Sequence, residues 1–394
     1  MPSINNLTHE QIREINCMKI LQFLRKNHEA TKSELEKILG VSHTTVNSYT
    51  QTLLDRGFVT PFGTADSNGG RKPVIIRLLP NARYAFGVNV SPKYVSLALV
   101  NLQGDIVDST EFTYSFNLGL PGSLTQIKEH IFTMLDHHKI EREKVLGVGM
   151  AFPGLVDGTM LEYIPNLNIK KYCLKNFEEE LGLDIFPENE ADPAAYAEYV
   201  IGKGGDLDDF VYVSIAEGIG TGIMIDHCIF RGNRKRAGEF GHLKVSDVKL
   251  RCNCGRYGCW ELFASKRALL KDSSNTINEV EYLQKLFHDY NNNVPSAVLK
   301  IEEYVHYLFS GLEAISLTLD PSCIIIGGDL GDYMQQLIDI GVKKLKLTDN
   351  FYGYESIKIM SSAIKENAAL LGAALLPFEK VFNFQKVDFK ARFN

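Results

Sequence analysis

Apolar positions in the first eighty residues recur at helical spacing. Ile12, Ile15, Leu21 and Leu24 share one face and predict a helix from about His9 to Lys26. A second helix opens at Thr31, where Thr31 and Glu34 have capping-box spacing. Its stripe is Leu35, Ile38 and Leu39, and Gly40 supplies the left-handed turn that ends it. Ser42 caps a third helix with Val46, Tyr49 and Leu53 facing inward. Its outward face carries His43, Thr44, Thr45, Asn47, Ser48 and Gln51. Gly57-Phe58-Val59-Thr60, a polar Gly-containing turn and Val74-Ile75-Ile76-Arg77-Leu78 then predict a β-hairpin.

Beyond residue 80 the period changes. Phe86, Val88 and Val90 alternate, a turn follows, and Val95, Leu97 and Leu99 alternate again. Val211, Val213 and Ile215 repeat the pattern, then Glu217-Gly218-Ile219-Gly220-Thr221-Gly222, then Ile223 and Ile225. Helices are expected over about Ser123–His138, Asp192–Gly202, Ser296–Leu319 and Asn367–Leu375, with strands at Val145–Ala151 and Cys323–Ile326. Two strand–turn–strand openings among alternating strands and helices predict an α/β body with two related halves and a ligand cleft between them. The expected division is a head, residues 1–80, and a body, residues 81–394. The Gly-rich turns suit either a phosphate cradle or tight hairpins.

The 394 residues are 45% hydrophobic and 23% charged, which excludes collagen, low-complexity disorder and disulfide-stapled miniproteins. No apolar run approaches the roughly 20 residues of a membrane span. Met1 to Glu10 lacks the apolar core of a secretory signal, so a cytoplasmic protein is expected. The net charge of −6 hides an asymmetry. The first eighty residues hold ten Lys/Arg against seven Asp/Glu, a balance of +3, and the remainder stands at −9. A basic head on an acidic body fits a head that alone binds nucleic acid.

The head's side chains agree with that. The outward face of the third helix is short and polar, suited to base edges in a major groove. Two helices joined by a Gly turn make a helix-turn-helix, and the hairpin makes its wing. Gly69-Gly70 permits close approach to DNA, and Arg71 and Lys72 offer charge to a minor groove or a phosphate. The alternative is a helical docking module with a polar face.

In the body, His242 precedes Cys252-Asn253-Cys254-Gly255-Arg256-Tyr257-Gly258-Cys259. Three thiolates and one imidazole form a closed tetrahedral zinc set, with no coordination position left for an activated water. The metal is expected to be structural. Near it in sequence stand Glu239 and Glu261, and Asn189-Glu190 precedes a helix. Carboxylates and amides of this kind can accept and donate hydrogen bonds to sugar hydroxyls.

These motifs together resemble the ROK family of repressors, open reading frames and kinases. Gly238-Glu239-Phe240-Gly241-His242 and the cysteine loop through Trp260-Glu261 carry the resemblance. Pro165-Asn166-Leu167, Glu188-Asn189-Glu190-Ala191 and Ile326-Gly327-Gly328 support it. Within the family the pattern is most like the xylose-type repressors. The resemblance implies an actin-like, sugar-kinase-like body and a homodimer or dimer of dimers. It also implies sugar contacts from Asn166, Asn189, Glu190, Glu239, His242 and Glu261. Family kinases carry Asp-x-Gly-Gly-Thr after the first strand, where this chain reads Asn89-Val90-Ser91-Pro92-Lys93. Pro92 removes a backbone donor and both glycines are gone, so sugar binding without phosphoryl transfer is expected. The expected partners are operator DNA and a small sugar. A sugar kinase with an appended head is the rival reading. A protein or phosphosugar effector, and activation in place of repression, stay open.

Overall fold

The computed structural model describes residues 8–64, 74–272, 278–345 and 357–383. The head contains α1 (His9–Asn27), β1 (Glu29–Thr31), α2 (Lys32–Leu39), α3 (His43–Asp55), β2 (Val59–Thr64) and β3 (Val74–Leu78). Thr8 and Gln11 close a capping box on α1, and Thr31 and Glu34 close the expected one on α2. Gly40 ends α2 at a φ of 66°, and Ser42 caps α3. The expected wing is present, and β3 pairs with both β2 and β1. Arg71 and Lys72 lie outside the described residues.

Two expected faces need correction. Ile38 is exposed, because α2 has only two turns and Leu35 alone sits deep in the core. The buried stripe of α1 is Cys17, Ile20, Leu21 and Leu24 with the polar Asn16 and Arg25, and Ile12 and Ile15 are only half-buried. The cause is that α1 packs against the body as well as the head.

The body begins with β4 (Tyr84–Val90), β5 (Tyr94–Asn101), β6 (Ile106–Thr113), α4 (Gly119–His138) and β7 (Val145–Phe152). A small antiparallel sheet follows, made of β8 (Leu155–Asp157), β9 (Met160–Ile164) and β10 (Ile169–Cys173). Then come α5 (Lys175–Leu181), β11 (Ile185–Asn189) and α6 (Ala191–Ile201). The second half runs through β12 (Phe210–Ile215), β13 (Ile219–Ile225), β14 (Cys228–Ile229), α7 (Glu261–Ala264), α8 (Lys266–Leu269), α9 (Glu279–Asn291) and α10 (Pro295–Leu319). It ends with β15 (Cys323–Gly328), α11 (Tyr333–Leu345), β16 (Lys358–Ser361), α12 (Ala368–Leu375) and α13 (Glu379–Phe382).

The two halves share one topology. The first sheet has the order β11-β7-β4-β5-β6 and the second β14-β13-β12-β15-β16. In each, three parallel strands adjoin an antiparallel meander. The last helix of each half packs on the sheet of the other, α6 on β13 and α12 on β4 and β7. The approach is too close for side chains. A Cβ on Gly149 would run into the backbone of Ala373, and one on Gly372 into the carbonyl of Pro193. Gly222 meets Ala191 and Ala195 in the same way. Ala191, Ala194, Ala195 and Ala197 are all buried. The two lobes are therefore joined at their base by a layer of small residues.

The head sits on this base. One apolar core runs from Ile20, Leu21 and Leu24 of α1 through Tyr196 of α6 to Phe378 and Phe382. Gln22 Nε2 donates to the carbonyls of Phe382 (2.5 Å) and Asn383 (3.2 Å). Arg25 Nη1 donates to the carbonyl of Val200 at 3.3 Å, and Gln103 Nε2 to that of Arg25 at 2.6 Å. Among the described residues no helix is long and apolar enough to cross a membrane.

Candidate ligand and metal site

The carboxyl ends of the parallel strands in both sheets open on the cleft between the lobes, where ligands of α/β folds bind. β11 delivers Asn189 and Glu190 to it. Asn189 is occupied by the fold: its Nδ2 donates to the Gly154 carbonyl (2.9 Å) and its Oδ1 accepts from Ala191 N (3.0 Å). It fixes the start of α6 and a neighbouring loop. Glu190 is half-buried at the N-terminus of α6. Burial, then the negative charges of Asp329 and Glu239, push its carboxyl up to about 7.

The other lobe supplies the Gly-Glu-Phe-Gly-His turn. Gly238, at a φ of 90°, and Gly241 lie flat on β13, where a Cβ would strike the carbonyls of Thr221 and Ile219. That contact turns Glu239 and His242 outward. His242 Nε2 lies 3.6 Å from Glu239 Oε2, and its Nδ1 lies 3.5 Å from Cys252 Sγ. Glu261 Oε1 lies 3.7 Å from His242 Nδ1 and accepts from Cys252 Sγ at 2.9 Å. Cys254 Sγ and Cys259 Sγ are 3.6 Å apart.

The ligand atoms of His242, Cys252, Cys254 and Cys259 all lie within 4.8 Å of one another, so the four can hold one metal ion. Thiolates on a common tetrahedral ion stand about 3.8 Å apart, given metal–sulfur bonds of about 2.3 Å. Gly255 and Gly258, at φ of 88° and 74°, make the turns that fold the loop back on itself. The two ring nitrogens of His242 thus point one to the cysteine set and one to Glu239.

Asn166 stands on the opposite lobe at the rim. It accepts from Asn253 Nδ2 at 3.1 Å, so the metal loop reaches across the cleft. Of the six expected sugar residues, Glu190, Glu239, His242 and Glu261 form one electrostatically linked set. Asn166 joins it through Asn253, and Asn189, next to Glu190, is held by Gly154 and Ala191.

Three further charged groups belong here that spacing did not single out. Arg231 Nε donates to Glu188 Oε1 at 2.9 Å, joining the lobes beside Glu190. Asp192 lies with them, and burial together with Glu188 pushes its carboxyl up to about 8. At the other rim Lys93 Nζ meets Glu217 Oε1 at 2.7 Å. The Gly-rich turn also gains a reason. Gly220 and Gly222 admit α6, and Gly218 leaves room for Glu261, whose Oε2 would lie 2.8 Å from an added Cβ.

On the head, His43, Thr44, Ser48 and Gln51 are exposed, and Thr45 and Asn47 are half-buried. His43 pairs with Glu36, Thr45 Oγ1 with Ser42 Oγ (2.9 Å) and Gln51 with Asp55 (2.7 Å). Thr44, Asn47 and Ser48 hold the centre of that face.

Such a fold and site define a class: a two-lobed, sugar-kinase-like body with a metal loop on its cleft, carrying a winged head. The chain belongs to the ROK family, whose model matches residues 85–380. A winged helix-turn-helix DNA-binding model matches residues 18–60. The chain is 28% identical over 385 residues to the xylose repressor of Bacillus spizizenii, spanning 95% of this chain and 98% of that protein. A crystal structure of a ROK family transcriptional regulator, homolog of the E. coli MLC protein, superposes with a TM-score of 0.77 at 21% identity. It covers 95% of this chain and 98% of that one. A ROK family glucokinase from Streptomyces griseus, in complex with glucose and AMPPNP, gives a TM-score of 0.62 at 25% identity over 74% of this chain and 98% of its own.

Proposed function

We propose that this chain is a sugar-responsive transcriptional repressor of carbohydrate-utilisation genes, a non-enzyme released from its operator by a pentose such as xylose. The full-length likeness to the Bacillus xylose repressor supports the reading. The observation that carries it is the course of α6. This helix starts at Glu190 in the cleft and ends beside Val200, whose carbonyl accepts from Arg25 of the head. Its 11 residues span about 16 Å. A sugar that draws the lobes together on Glu190, Glu239, His242 and Glu261 moves the support of the head directly. The ligand shifts operator affinity only by its differential affinity for the two arrangements.

Zinc is the metal that the Cys₃His donor set suits. It would hold the loop that carries His242 and abuts Glu261, and would give the imidazole a fixed orientation toward the sugar. The head, residues 1–80, contacts DNA through His43, Thr44, Thr45, Asn47, Ser48 and Gln51, with Arg71 and Lys72 on the wing. The body, residues 81–394, senses the sugar. The protein acts in the cytoplasm as a homodimer or dimer of dimers on a two-fold operator.

A gel-shift titration on DNA upstream of its own and neighbouring genes, at fixed salt, with xylose and a sugar panel, tests this. Specific binding released by one sugar is expected. Specific binding indifferent to every sugar would transfer the effector role to a protein or phosphosugar. The kinase alternative draws on the glucokinase likeness. It requires ADP release with one of the same sugars, abolished by Glu190→Ala.

A further inference from the structure

The two halves present equivalent turns to each other across the cleft: Ser91 to Lys93 between β4 and β5, and Ala216 to Gly218 between β12 and β13. A turn with free N–H groups would be an anion nest. The first of these turns is not one. Ser91 N and Ser91 Oγ both donate to the Tyr94 carbonyl, at 2.9 and 2.8 Å, and Pro92 has no N–H. Ala216 N donates to the Gly218 carbonyl at 3.0 Å. What joins the turns is charge. Lys93 Nζ lies 2.7 Å from Glu217 Oε1 and 3.6 Å from Glu279 Oε1. Glu279 Oε2 in turn takes Lys266 Nζ at 2.8 Å, and Lys266 N donates to the Ala216 carbonyl. Asp329, held by its N–H on the Ile215 carbonyl, brings a third carboxylate to the same group.

We propose that Lys93 and Glu217, backed by Glu279 and Lys266, form a latch between the lobes that replaces a bound nucleotide and excludes nucleoside triphosphates from the cleft. Two cations face three carboxylates, so the rim carries a net negative charge that repels a triphosphate. Both lysines of this network, Lys93 and Lys266, are already paired to carboxylates. The latch also biases the lobes toward closure before any sugar arrives. Lys93 and Glu217 are 58% and 43% exposed, so the pair alone is weak, whereas Lys266 is 15% exposed and anchors the network. A tie of this kind changes the open-to-closed ratio about two- to fivefold.

The inference deepens the ligand-cleft reading, and its test needs neither sugar nor DNA. Hydrogen exchange is followed in the full-length, zinc-loaded protein over segments 90–94 and 215–219. Lys93→Ala and Glu217→Ala are each expected to speed exchange there about two- to fivefold. Raising salt from about 50 to about 500 mM should do the same to wild type and little to either variant. The charge swap Lys93→Glu with Glu217→Lys should recover part of the protection. Single variants indistinguishable from wild type, or a swap as fast as the product of the two singles, would overturn the latch. Titration with Mg-ATP is expected to give no binding, and saturable binding to wild type would overturn the exclusion. Either failure would leave the gel-shift result standing.

Discussion

Glu190 is held in the cleft with its carboxyl pushed up to about 7, against an ordinary value of 4.5. The folded chain therefore retains a proton that the unfolded chain has released. Stability contributed by this group is complete below about 4.5 and is lost as pH rises toward 7. Glu190→Gln should remove that slope. We expect the variant to gain about 1–2 kcal/mol over wild type at pH 8, after discounting for partial exposure, and about a quarter of that at pH 5. Denaturant midpoints of the zinc-loaded proteins at both pH values measure it, and an equal gap at both would refute the assignment. The same substitution should weaken sugar binding, since the proposed acceptor becomes an amide. Cys254→Ser probes the metal set separately. Loss of the ion should lower sugar affinity at least about tenfold while operator binding persists, because the hydrogen bonds described between head and body lie at the base of the lobes and not at the loop. Calorimetry with the inducing sugar, alongside metal analysis, decides this.

At the scale of elements, the stack of sheet, α12, α6 and sheet depends on residues without side-chain bulk. Gly149→Ala places a methyl group inside the Ala373 backbone. The expected cost is about 3 kcal/mol, read from the unfolding midpoint, and α12 must shift to accommodate it. A midpoint unchanged from wild type would mean that the layer is looser than described. Local signals in the sequence reported well on such elements. The Thr31–Glu34 box, the Gly40 turn, the Ser42 cap and the repeated strand–turn–strand openings depend on residues a few positions apart, and all are present. The cysteine loop was legible for the same reason. Contacts made across long separations were not legible. Lys93 and Glu217 are 124 positions apart, and Arg231 and Glu188 are 43 apart. No periodicity encodes such pairs. Asn189 was read as a sugar ligand from the family resemblance, and its amide also anchors the start of α6 and the Gly154 loop, which residue type alone does not reveal.

For the whole molecule, the contact between head and body decides how a signal travels. Gln22 and Arg25 reach the carbonyls at the ends of α13 and α6. Replacing both by Ala should leave sugar affinity within about twofold and operator affinity nearly intact, yet reduce sugar-dependent release at least about fivefold. Release as complete as in wild type would place the coupling elsewhere. The misjudged face of α1 belongs to this scale as well. Its apolar residues looked like a head core in the sequence, but the core they enter also holds residues of the body.

That shared core bears on how readily such regulators can be recombined. If the head were a bead on a string, a graft at residue 80 would give any body a new operator. Here Cys17, Ile20, Leu21 and Leu24 lie in the same core as Phe378 and Phe382. A chimera joined at residue 80 would inherit a mismatched seam, and would bind DNA without listening to its sensor. Carrying the native α1 across with the body, and exchanging only α2, α3 and the wing, would keep the seam matched and transfer the control.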